Sequence, residues 1–179
     1  MNVVLVGMMG AGKSTVGRIL ARDLGWPLVD TDQVIVERAG RSIPEIFAAE
    51  GEAGFRAREA EAVAWVASRD RQVIATGGGA VLLPANREAL RRTGLVFWLD
   101  APPEVLHQRA VAQGVHQRPL LAGAGEGRAL QALADLAARR EEAYRQAAHH
   151  RICTANRSPE EVAREIQAIL KHSLNESER

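Results

Sequence analysis

Gly7-Met8-Met9-Gly10-Ala11-Gly12-Lys13-Ser14-Thr15 has the P-loop spacing of glycine, four residues, glycine, lysine and serine. The flanking residues supply the context this motif needs. Val3-Val4-Leu5-Val6 is a short apolar run of the kind a buried parallel strand shows, and Val16, Ile19, Leu20 and Leu24 keep helical spacing. Strand, glycine loop and helix therefore follow in order. Glycines let the backbone curl until successive N–H groups and the helix N-terminus converge on phosphate oxygens. Lys13 would reach the β- and γ-phosphates, and the Ser14 hydroxyl would bind Mg²⁺. The stretch predicts binding of a nucleoside triphosphate.

The rest of the chain narrows what that triphosphate serves. A length of 179 residues suits one domain and is short for two. Lys and Arg total 23 against 22 Asp and Glu, so overall charge draws the chain neither to nucleic acid nor to an anionic membrane. The single cysteine, Cys153, allows no internal disulfide, and no zinc-like Cys/His spacing occurs. With a strand predicted from about Asn2, no secretory leader is expected, and no apolar run approaches a membrane span. A reducing cytosol is the expected setting.

Gly25 is placed to end the first helix, and Pro27-Leu28-Val29-Asp30 reads as a second strand running into Asp30-Thr31-Asp32. In an extended chain these two carboxylates share a face, at the sheet end where ligands bind. Asp-Thr-Asp is also an ordinary N-cap and turn before a helix over 33–39. Next to a P-loop the functional reading gains, because phosphoryl transfer needs a carboxylate near the metal and another near the attacking hydroxyl. Ser42 and Glu45 form a capping box for a short helix that Gly51 interrupts, and a longer helix is predicted over about 52–68. Arg56 and Arg58 lie on it; helical arginines are usually solvated or paired, and spacing alone does not distinguish Arg56.

A third strand, Gln72-Val73-Ile74-Ala75, runs into Thr76-Gly77-Gly78-Gly79, where glycine would let backbone N–H groups approach a ligand. A helix from Pro84 to Thr93, the buried strand Leu95-Val96-Phe97-Trp98-Leu99 and a helix from Pro102-Pro103 bearing Arg109 follow. The glycine-rich stretch 113–127, with Arg118 in its middle, has the length of a lid. Beyond it come a helix of about twenty residues with Leu133, Arg140 and Tyr144 near one face, a short strand at 151–154, and a helix capped by Ser158-Pro159. His149 and His150 have no ligand partner at a useful spacing and read as structural or exposed. The division expected is one domain over 1–171 and a polar, frayed tail over 172–179.

Alternating strands and helices make this a three-layer α/β domain with a largely parallel sheet; strand order does not follow from the pattern. No guanine-reading Asn-Lys-x-Asp occurs, and the body is small for a motor ATPase. A carboxylate pair, a glycine cluster and an arginine-bearing lid suit a small-metabolite kinase, whose closure excludes water.

The ordered combination of that P-loop, Asp30-Thr31-Asp32, Gly40-Arg41-Ser42-Ile43, Phe55-Arg56, Gly77-Gly78-Gly79-Ala80-Val81, Arg118-Pro119-Leu120-Leu121, and Arg140 four residues before Tyr144 resembles the shikimate kinases. These belong to the nucleoside-monophosphate-kinase-like branch of P-loop proteins. The resemblance runs from about Asn2 to Leu170 and implies a five-stranded parallel sheet in order 2-3-1-4-5. It implies transfer of the ATP γ-phosphoryl group to the 3-hydroxyl of shikimate, in aromatic amino-acid biosynthesis, by a cytoplasmic monomer. By the same resemblance Asp32 would bind the substrate hydroxyls and act as base or orient the nucleophile. Asp30 and Ser14 would hold Mg²⁺, and Gly10, Ala11, Gly12, Lys13, Ser14 and Thr15 would cradle ATP. Arg56 and Arg140 would grip the substrate carboxylate, with Gly77 beside it and the backbone N–H of Gly78 or Gly79 meeting the substrate as well. Arg118 would neutralise the transferring phosphate with Lys13, and Arg109 and Arg157 would flank adenine. A gluconate or nucleotide kinase of the same fold, or an ATP-binding regulator without catalysis, are the alternatives.

Overall fold

The computed structural model describes residues 1–113 and 126–177. Strand β1 (Asn2–Val6) is wholly buried, and since successive strand residues face opposite ways, cover lies on both faces of the sheet. β1 pairs in parallel with β3 (Val73–Ala75) on one side and with β4 (Gly94–Asp100) on the other. β2 (Leu28–Asp30) extends the sheet beyond β3, and β5 (His150–Cys153) extends it beyond β4. The order is β2-β3-β1-β4-β5, as the resemblance implied.

Strand register decides where the loops emerge. Ala75 lies opposite both Leu5 and Asp30, so β1, β2 and β3 end at one level. The chain leaves those three ends as the P-loop, Asp30-Thr31-Asp32 and Thr76-Gly77-Gly78-Gly79. The connection leaving β1 runs to β2 on one side and the connection leaving its neighbour β4 runs to β5 on the other, and between such diverging connections lies the crevice where open α/β sheets bind ligands.

Local chemistry sets the helices. α1 (Lys13–Leu24) ends at Gly25, whose φ of 68° is open to glycine at little cost. Its Gly17 faces the sheet so closely that a Cβ would fall 2.9 Å from Leu28 Cδ1. α2 (Thr31–Ala39) begins two residues before its predicted start, because the Asp30 side chain caps it by accepting from the N–H groups of Asp32 and Gln33. α3 (Ile43–Ala67) joins the two helices expected here, with the break confined to Gly51 at φ 71°. Ser42 caps it as predicted, accepting from the Glu45 N–H at 3.3 Å. α4 (Pro84–Thr93) and α5 (Pro103–Ala112) both open on proline.

α6 (Glu126–Ala147) and α7 (Pro159–Ser177) complete the helices. The polar end of the chain, expected to fray, continues α7 as far as Ser177. Exposed polar residues keep intrahelical bonds there, and His172 lies 3.2 Å from Glu176 one turn on. α1 packs against α7, while α4 neighbours both α3 and α6. Leu5, Leu20, Leu99 and Ile166 are fully buried between these layers, each such side chain contributing about 1.5–3 kcal/mol.

Candidate active site

Three consecutive glycines organise the site. A Cβ on Gly77 would lie 2.6 Å from Asp32 Oδ1, one on Gly78 would lie 2.9 Å from Arg140 Nη1, and one on Gly79 would lie 2.5 Å from both terminal nitrogens of Arg56. Real Cβ atoms do not approach polar atoms so closely, so each glycine makes room for one charged group. A carboxylate and two guanidiniums are thereby lined up along one stretch of backbone, beside the P-loop.

Each group comes from a different element. Asp32 sits in the first turn of α2, whose start at the end of β2 brings it to the Gly77 edge; the Thr31 hydroxyl accepts from the Gly77 N–H at 3.0 Å and ties the two segments together. Arg56 belongs to the face of α3 that also carries the buried Phe55 and Glu59, whereas Arg58 points elsewhere and pairs with Glu50 at 3.0 Å. That difference in direction separates two arginines that spacing left equivalent. Arg140 of α6 is 5 % exposed, and no described residue accepts from its Nε or from the Nε of Arg56. Buried guanidinium donors without partners are costly, and an anion placed between the two arginines would satisfy them.

Glu59, which the sequence pattern left among ordinary polar helix residues, is 1 % exposed and accepts from Arg56 Nη1 at 2.8 Å. Burial pushes its carboxyl above the usual range, against the opposing pull of Arg56 and Arg140. It steadies the Arg56 guanidinium from behind, and Arg140 reaches it through charge alone. The i, i+3 spacing from Arg56 was the available signal. Tyr144, one turn after Arg140, is also buried, and its hydroxyl donates to the Gly78 carbonyl at 2.5 Å.

On the other side of Asp32 lies a polar cavity lined by Gly10, Ala11, Gly12, Lys13, Ser14, Thr15, Asp30, Asp32, Gly77 and Gly78. Lys13 Nζ donates to the Met8 carbonyl at 2.9 Å and to the Gly7 carbonyl, across the mouth of the loop it serves. Gly12 caps α1 at φ 98°, with the first turn of the helix opening onto the cavity. A neighbouring cavity shares Ala11, Gly12, Thr15 and Gln113 and is lined further by Arg109, Thr154 and Arg157. The two cavities adjoin at these shared residues. Arg109 donates to both oxygens of Thr154 at 2.9 Å and to the Gly10 carbonyl at 3.3 Å, joining the P-loop to the end of β5. Arg157 pairs with Glu165 at 2.5 Å.

Among the described residues no three His, Cys, Asp or Glu side chains form a metal cluster. Ser14 and Asp30 nonetheless fit Mg²⁺, which takes oxygen ligands and completes its shell from phosphates and water rather than from an all-protein cage. His149 is structural, as expected: its Nδ1 accepts from the Val96 N–H at 2.9 Å. Of the lid expected over about 113–127, residues 114–125, with Arg118, lie outside the described residues, while 126 and 127 begin α6.

A family model described as shikimate kinase matches residues 9–171. The chain belongs to the shikimate kinase family. It is 60 % identical over 171 residues to a shikimate kinase of Symbiobacterium thermophilum, covering 96 % of this chain and 97 % of that relative. Identity to a shikimate kinase of Moorella thermoacetica is 49 %, over 95 % of this chain and 94 % of the other. Among solved structures, a shikimate kinase from Acinetobacter baumannii in complex with shikimate superposes with a TM-score of 0.89 at 42 % identity, covering 97 % of this chain and 94 % of that one. A gluconokinase from Sinorhizobium meliloti, at 18 % identity and a TM-score of 0.60, shares the fold alone. Family membership makes the protein a phosphotransferase.

Proposed function

We propose that the residues assembled here carry out ATP-dependent phosphorylation of shikimate at its 3-hydroxyl, giving shikimate 3-phosphate and ADP. The observation that carries this reading is the alignment of Asp32, Arg140 and Arg56 along Gly77, Gly78 and Gly79. Shikimate is a ring with a carboxylate at one end and hydroxyls at the other. Two guanidiniums, each with a buried Nε that meets no described acceptor, suit the carboxylate, and a carboxylate beside the P-loop suits the hydroxyl nearest ATP.

Asp32 orients the 3-hydroxyl and takes its proton as oxygen attacks the γ-phosphorus, while the bond to the β-phosphate oxygen breaks and ADP departs. Lys13 follows the charge on the transferring group; Arg118, assigned by resemblance, joins it. Ser14 and Asp30 would hold Mg²⁺ at the cavity they line. That ion, when bound, neutralises phosphate charge and fixes the γ-phosphoryl group in line. Arg109 and Arg157 border the adenine.

We also place the enzyme in the cytoplasm as a monomer with one catalytic domain. In support, a lone cysteine with ATP as co-substrate suits a reducing, ATP-rich compartment. No helix among the described residues is long and apolar enough to cross a membrane. The test is ADP release from ATP and Mg²⁺ with shikimate, gluconate, CMP and no acceptor compared side by side. Release dependent on shikimate supports the reading. Release with gluconate or CMP instead overturns the substrate, and ATP binding without transfer to any acceptor indicates a regulator.

A further inference from the structure

We propose that Tyr144 is a positioning residue for the acceptor substrate: its hydroxyl fixes the peptide between Gly78 and Gly79 so that the Gly79 N–H is held toward the cleft. The proposal rests on the reading of this cleft as the shikimate site. Without Cβ atoms, 77–79 is a stretch in which peptide units could turn over at little cost, so its orientation must be imposed from outside.

The partners of its backbone groups show how. The Gly77 N–H is taken by Thr31, the Gly77 carbonyl by the Ala80 N–H at 3.1 Å, and the Gly79 carbonyl by the Leu82 N–H at 3.1 Å. The Gly78 carbonyl is held by Tyr144. What remains, among the described residues, are the N–H groups of Gly78 and Gly79, which donate to no protein acceptor. Unmet backbone donors in a largely buried stretch point to a ligand acceptor.

A trans peptide is planar, with its carbonyl and N–H on opposite sides. Tying the Gly78 carbonyl to α6 therefore turns the Gly79 N–H away from α6. Tyr144 is built to hold that orientation. It is 1 % exposed, and its ring stacks on Trp98 of β4, centroids 5.6 Å apart at 28°. The Arg151 guanidinium lies 4.3 Å from the Trp98 centroid. Burial pushes the phenol up to about 12, so it stays a donor throughout the working pH range.

Tyr144→Phe keeps the ring and removes the hydroxyl, which donates to the Gly78 carbonyl and also faces the Arg140 guanidinium, so the Arg140→Ala background separates the two contacts. In steady-state ADP release, the KM for shikimate is expected to rise about tenfold, the equivalent of one hydrogen bond, with kcat within about threefold and the KM for ATP unchanged. A lower Tm with an unchanged shikimate KM would mean a structural role only and overturn the proposal. Arg140→Ala, measured alongside, separates this from the site reading. If it raises the KM and Tyr144→Phe does not, the site stands and the proposal falls. In the Arg140→Ala background Tyr144→Phe should keep its own penalty; loss of the penalty would show that Tyr144 acts through Arg140, and would refute the peptide assignment. A measurement on the wild-type enzyme needs no variant to fold: the Gly79 amide resonance should shift downfield on titration with shikimate, and an unmoved resonance at saturation would refute the proposal.

Discussion

Gly79→Ala isolates the arginine contact with one methyl group. Gly79 has φ −100° and ψ 6°, values alanine adopts without strain, so the backbone gives no reason for the variant to misfold. The new Cβ would lie 2.5 Å from both Arg56 terminal nitrogens and 2.7 Å from Cζ. Ordinary contact needs about 1 Å more. The guanidinium is the free end of a flexible side chain, so it yields rather than the fold. Its retreat is restricted by Glu59 at 2.8 Å and Glu52 at 3.6 Å, and it takes Arg56 out of line with Arg140. Losing a charge-assisted contact to the substrate carboxylate costs about 1.5–3 kcal/mol, or about 10- to 150-fold in shikimate KM. Initial rates of ADP release over a range of shikimate concentrations measure it, with ATP saturating. The KM for ATP should be unchanged, and Tm should move by no more than a few degrees. A variant with normal shikimate KM would show that Arg56 does not bind substrate from its observed position.

Further outcomes are expected from the same geometry. Asp32→Asn should lower kcat by about 10²–10⁴ with an unchanged circular dichroism spectrum, because the hydroxyl loses its proton acceptor; near-normal turnover would remove Asp32 from that role. Ser14→Ala should raise the Mg²⁺ concentration needed for half-maximal rate, and EDTA should abolish turnover of the wild type; an unaltered Mg²⁺ dependence would argue against Ser14 as a ligand. Glu59 has a folded-state pKa raised by burial, so its stabilising contribution is full below its ordinary value of 4.5 and is lost as pH rises through the folded value. Thermal melts above pH 4.5 should therefore show the wild type losing stability relative to Glu59→Gln as pH rises, and a relative gain would contradict the direction of the shift.

The parts of this fold legible from sequence were the local ones. The P-loop announces itself because strand, glycines, lysine and helix are contiguous, and Gly25, Ser42, Pro84 and Pro103 mark helix ends by chemistry confined to a turn. Strand order came from resemblance, since β1 meets β3 and β4 across long separations that no pattern encodes. Asp30 illustrates how one residue can serve two readings: its cap on α2 is seen directly, and its place in the wall of the polar cavity is compatible with the functional reading of Asp-Thr-Asp. Arg56 could not be told from Arg58 until the kinked α3 was placed against the sheet. Glu59 was overlooked because charged helix residues are usually solvated, and only the packing of α3, which buries it beside Arg56, makes it exceptional.

The central claim is that Arg56 and Arg140 hold a substrate carboxylate while Asp32 meets its hydroxyl. The most direct measurement compares shikimate with its methyl ester on the wild type and on Arg140→Ala. Esterification should cost the wild type a large factor in kcat/KM, and the variant much less, because the contact is already missing. An equal penalty on both enzymes would show that Arg140 does not contact the carboxylate, and the arrangement along the three glycines would need another explanation.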